Sequence, residues 1–74
     1  MSRMRMTAVI QREGELYVAL CPEFDVVSQG TTVEEAKSNL IEALELFLEH
    51  ADSEEIKNRT KADVFVTSVE VAVA

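Results

Sequence analysis

The sequence predicts an α+β fold of element order β-β-β-α-β, with one helix packed on one face of a four-stranded mixed sheet. Three observations carry this expectation. Residues 3–12 and 15–21 alternate apolar and polar with the period of two, which is that of a strand. Thr32-Val33-Glu34-Glu35 has the form of a capping box that opens an amphipathic helix. Ala62 to Ala74 is a valine-rich run suited to a last strand.

In the first strand, Met4, Met6, Ala8 and Ile10 point one way and Arg3, Arg5, Thr7 and Gln11 the other, with Val9 breaking the polar face. Arg12-Glu13-Gly14-Glu15 reads as a turn, because Gly14 can supply the positive φ of a tight hairpin. The return strand, residues 15–21, sets Leu16, Val18 and Leu20 against Tyr17, Ala19 and Cys21. Pro22 ends it, having no N–H to give to a ladder. Phe24 to Gln29 reads as a third, short strand closed by Gly30.

The helix is expected from about Val33 to about Ala51. At about 100° per residue, Val33, Ala36, Leu40, Ala43, Leu44, Phe47 and Ala51 share one stripe, flanked by Ile41 and Leu48. Ser53 could cap one further turn, and Asn58-Arg59-Thr60 reads as a loop. Short connections make the first three strands a meander, and the helix then acts as a crossover. Strand four would run parallel to strands one and three, beside strand one, in the order 3-2-1-4. Its valines lie on both faces in places, which fits a strand covered on both sides or one pairing with another subunit.

The 74 residues form a single domain, 1–74, since a second would lack a core. A chain this short buries only about 60% of the surface its unfolded form exposes. One cysteine rules out an internal disulfide, and no cysteine–histidine cluster suggests a metal. Self-association is the remaining stabiliser, so a homo-oligomer, dimer or tetramer, is expected. Seven basic and fourteen acidic groups leave a net charge of −7, which repels nucleic acid and attracts a basic protein, and which also keeps a small domain in solution. No apolar run approaches the roughly 18 residues of a membrane span, and no apolar signal core follows the two arginines of the first six residues. The chain therefore reads as cytoplasmic.

Catalytic, cofactor and metal residues are all expected to be none. His50, the one histidine, sits at the helix C-terminus, where a cation is favoured, and has no nucleophile or second acid beside it in sequence. Cys21 has Glu23 and Asp25 as neighbours rather than the positive groups a reactive thiol needs, so it reads as a structural cysteine. Arg3, Arg5 and Arg12, with Tyr17 near, form a small basic patch that reads as a sheet-edge or intersubunit pairing set, with no direct nucleic-acid binding expected. The helix face opposite the apolar stripe carries Glu35, Glu42, Glu45 and Glu49, with Leu46 at its border. It reads either as a solvated surface or as a docking face for a cationic partner, and these five residues are the candidate partner-binding set.

Gly14-Glu15-Leu16-Tyr17-Val18-Ala19, Cys21-Pro22-Glu23, Val27-Ser28-Gln29-Gly30 and Thr32-Val33-Glu34-Glu35-Ala36, with the helix continuation Asn39 to Leu48, resemble the HicB family of antitoxins over about residues 6–50. The resemblance implies a partial ribonuclease H fold, oligomerisation, and the antitoxin role in a type II toxin–antitoxin pair. The partner it implies is a HicA-like toxin, a small basic mRNA-cleaving protein whose RNA-binding and catalytic surface the antitoxin covers. The alternative is a stand-alone oligomeric binding or scaffold module without a toxin. Ribonuclease H enzymes hold metal ions between carboxylates, yet Arg3 to Gln11 contains no acid, so nuclease chemistry is not expected. Two departures stand out. The Leu-Pro-Gly-Cys piece common after the proline is replaced by Phe24-Asp25-Val26-Val27, and the C-terminal DNA-binding domain of many members has no counterpart in this sequence, so autorepression is not expected.

Overall fold

The structure is a computed structural model, and it describes residues 3–60 and 63–74. The elements are β1 (Val9–Glu13), β2 (Leu16–Cys21), β3 (Val26–Gly30), α1 (Val33–His50) and α2 (Ser53–Thr60). The sheet is three-stranded in the order β1-β2-β3, and both pairings are antiparallel.

The β1–β2 turn arises from Gly14, whose φ of +64° lets two residues reverse the chain between Glu13 and Leu16. Arg12 donates from Nε to the Gly14 carbonyl at 3.0 Å and braces the turn. The β2–β3 turn is built differently. Asp25 has a φ of +58°, a left-handed conformation that aspartate tolerates better than most residues. That bend ends β2 at Cys21 and starts β3 only at Val26, so Phe24 is a turn residue rather than the first residue of a strand. Its ring instead turns inward and is buried.

α1 opens as its capping residues require. Thr32 Oγ1 accepts the Glu35 N–H at 3.0 Å. The Glu35 carboxylate reaches one residue further back than a capping box demands, accepting the Thr31 N–H at 2.7 Å and the Thr31 hydroxyl at 3.2 Å. The buried stripe of α1, namely Ala36, Leu40 and Leu44, meets Ala19 and Cys21 of β2 and Phe24 of the turn. Phe47 tilts against Phe24 with ring centroids 5.5 Å apart and an interplanar angle of 59°.

Gly30 fixes how closely helix and sheet meet. A Cβ there would lie 2.5 Å from the Ala36 backbone N and 2.8 Å from the Glu35 carbonyl carbon. Both are main-chain atoms of the helix's first turn, so neither can swing aside.

Three expectations are corrected. The sheet is not four-stranded or mixed, and the order 3-2-1-4 does not form within the chain. The element order is β-β-β-α-α: residues expected as a single turn and a loop make the second helix. Asp52 caps it, its Oδ1 accepting the N–H groups of Glu54 at 2.8 Å and Glu55 at 3.1 Å. The helix sets Ile56 against the core and the Arg59 guanidinium 6.0 Å from the centroid of the Phe24 ring. Of the expected last strand, Ala62 lies outside the described residues, and Asp63–Ala74 is in no strand of the described chain.

The register sorts the two sheet faces. Ile10, Tyr17, Ala19, Cys21 and Val26 turn toward α1, while Val9, Leu16, Val18, Leu20 and Val27 turn away from it. No helix or strand of the described residues covers that second face.

Replacing Gly30 by alanine is expected to cost about 1–3 kcal/mol, the usual range for forcing atoms into a closed contact. Urea unfolding followed by circular dichroism reads it as a lowered midpoint with an unchanged slope.

Candidate protein-docking face

α1 presents its polar side beside the free flank of β3. A shallow groove of about 600 Å³ runs there, lined by Ser28, Asn39, Glu42, Ala43, Glu45, Leu46 and Glu49. A second hollow of about 440 Å³ continues it toward the helix C-terminus, sharing Ala43 and Leu46 and adding Val26, Phe47, His50, Ala51 and Glu55. Asn39 anchors the groove's upper end by donating from Nδ2 to the Gln29 carbonyl at 2.8 Å.

Four of the five candidate residues meet in this groove, because positions 42, 45, 46 and 49 succeed one another at helical spacing along a single face. Leu46 is 60% exposed between the three carboxylates. Among the described residues the one ion pair is Glu55–Arg59 at 3.7 Å, and Glu42, Glu45 and Glu49 pair with none of the described cations. The fifth candidate, Glu35, lies elsewhere: its carboxylate is committed to the two donors of Thr31. The arrangement is an exposed apolar side chain with three carboxylates around it.

The titratable groups singled out from the sequence do not converge. His50 is exposed in the last turn of α1. Cys21 is buried, and its thiol lies 3.4 Å from Glu23 Oε1, to which it donates. Burial pushes that thiol above its ordinary value. The neighbouring Glu23 carboxylate adds to the shift, against the backbone hydrogen bonds of Phe24 and Glu23. No group of three or more histidine, cysteine or acidic side chains is placed to hold a metal ion among the described residues. Among them, too, no helix is long and apolar enough to cross a membrane.

One built feature has no counterpart among the sequence expectations. Glu23 clamps the segment before β1: its two carboxylate oxygens accept the Thr7 N–H at 3.1 and 3.0 Å, and Oε2 also accepts the Thr7 hydroxyl at 2.8 Å. The β1–β2 register, continued two residues, would set Thr7 opposite Pro22. The Glu23 side chain thus takes over where the strand ladder stops. Partial burial works against its ionised form, but the Thr7 hydroxyl and N–H, its own backbone N–H and the Cys21 thiol outweigh that and hold its carboxyl below the ordinary carboxylate range. The signal was an acid directly after a strand-ending proline, which sequence spacing alone does not connect to Thr7.

Comparison with known proteins adds one relative. A UPF0150 protein of Helicobacter pylori strain J99 is 35% identical over 72 residues, which is 96% of this chain and the whole of that protein. The chain belongs to the UPF0150 family. No family model and no solved structure matches it. UPF0150 proteins are small HicB-like proteins, and the match runs from end to end, so both the docking groove and the C-terminal segment fall within the compared length.

Two outcomes are expected of this UPF0150 member. Because Glu23 is depressed in the folded state, its contribution to stability is full above the unfolded carboxylate value of about 4.3. It is lost as the pH falls through the lower folded value. Glu23→Ala is therefore expected to lower the urea midpoint at neutral pH and to flatten the acid limb of stability against pH. Cys21 is expected to resist a disulfide-exchange reagent at neutral pH and to react at once in denaturant, read by thiol titration.

Proposed function

We propose that this chain is an antitoxin-like protein that works in the cytoplasm by binding, without catalysis. Its partner is a basic, mRNA-cleaving toxin of the HicA type, and neutralisation is stoichiometric contact that covers the toxin's RNA-binding surface. The observation that carries the reading is the groove in which Glu42, Glu45 and Glu49 surround the exposed Leu46. A protein that must grip RNA is cationic, and a row of carboxylates competes for the same cations that hold phosphate. Long-range attraction would speed the encounter, and Leu46 with the apolar floor at Ala43 would slow release. Membership of a family of small HicB-like proteins supports the same reading.

Self-association belongs to this proposal, since the open sheet face carrying Val18, Leu20 and Val27 is poorly suited to water in a chain with so small a core. A stand-alone oligomeric scaffold shares that feature and differs in having no toxin.

The test is capture and RNA-cleavage inhibition with the protein encoded beside this chain. Glu42→Lys with Glu45→Lys and Glu49→Lys is expected to leave α1 helical, to slow association by an order of magnitude or more at low salt, and to restore RNA cleavage. Full inhibition by that variant would eliminate the groove as the contact, and a neighbour that is neither basic nor inhibited would favour the scaffold.

A further inference from the structure

The C-terminal segment carries apolar side chains that, Val64 apart, the described residues leave exposed. Phe65 is 85% exposed, Val69 79%, Val71 76% and Val73 86%. A compact chain of this length would have a radius of gyration of about 11 Å, whereas this one has 14.4 Å and a longest extent of 49 Å. Opposite in kind is the outer side of β1, an edge strand that no strand of the described residues pairs on the side away from β2. An open edge and an exposed β-branched arm are each an association hazard, and they are complementary.

We infer that Asp63–Ala74 of one copy adds as a strand to the β1 edge of a second copy, and that the exchange is reciprocal in a two-fold dimer. Charge selects this edge over that of β3. Arg12 lies on β1, Arg3 and Arg5 lie on the segment that leads into it, and the arm carries Asp63 and Glu70. The described residues give none of these five an ion-pair partner in its own chain. Arg5 and Arg12 are seven residues apart, and so are Asp63 and Glu70, so a ladder continued from β1 over residues 5–8, which form no strand within one chain, would set both acids opposite both arginines in either direction. The β3 flank, by contrast, has Asn39 spanning to Gln29 and the glutamates of the groove beside it, which would repel an acidic arm.

The interface is large enough to persist. Each copy would contribute its arm, residues 63–74, and the edge segment, residues 3–13, within the roughly 20–30 residues a side of stable interfaces. The valines and Phe65 would extend the apolar surface of the partner's sheet. This deepens the self-association put forward above and is independent of any toxin, so the experiment contains none.

The full chain is run on size exclusion with light scattering, and twice the chain mass is expected. Val69→Asp with Val71→Asp changes only exposed side chains, and halving of the mass with α1 helicity retained is expected. A variant that stays dimeric would show that the open sheet faces, not the arms, hold the copies together, and would overturn the inference, as would a monomeric parent chain. Should that variant misfold, cross-linking decides. Arg5→Cys protein is mixed and oxidised with Glu70→Cys protein, and separately with Asp63→Cys protein, the buried Cys21 being left in place. A disulfide-linked heterodimer in the first mixture marks antiparallel exchange and in the second parallel exchange, and either supports the inference. Its absence from both, with an intrachain bond when the paired cysteines share one chain, would mean that the arm folds onto its own sheet.

Discussion

α1 touches β3 backbone to backbone, and the space for that contact exists because residue 30 has no side chain. The depth of this seat sets the size of the side chains that the interior can hold. With the first turn of α1 drawn down onto the strand end, Ala36 suffices to fill the gap, and Leu40 and Leu44 fall in line over Ala19 and Cys21. A helix standing further off would need larger residues at each of these positions to keep the interior closed. The core is thin, and small residues on both sides are its signature. Phe24 and Phe47 close its far end, where the helix diverges from the sheet.

The same seating sorts the surface into sides with different chemistry. Burying one stripe of α1 obliges Glu42, Glu45 and Glu49 to project beside β3, with Leu46 among them. Covering one side of the sheet leaves Val18, Leu20 and Val27 on the other. Neither side is needed to make the core, and both carry more charge or more apolar area than solvation alone calls for.

Elements whose signal is local were legible in the sequence. The first hairpin could be read from alternation and Gly14, the start of α1 from Thr32 and Glu35, the buried stripe from helical period, and the grouping of Glu42, Glu45, Leu46 and Glu49 from the same period. What was not legible depends on contacts between distant residues. The helix-forming tendency of Ser53–Thr60 is weak by itself; its mean character is polar, and it forms because Asp52 caps it and Ile56 and Arg59 find the core and Phe24. Glu35 reads from the sequence both as the capping-box acid and as one of the partner-binding set; that its carboxylate goes to Thr31 depends on the path of the chain before the cap. The last strand had the right composition, but a strand is defined by its neighbour, and valines do not say which chain provides one.

α2 is fastened to the body of the molecule by one aliphatic side chain and one guanidinium stacked on a ring. Such a short, lightly held helix opens far more often than the sheet does, so its amide protons would trade with solvent well before those of β2. A swap of hydrogens at α2 ahead of the sheet would mark the helix as the part of the fold held by the fewest side chains.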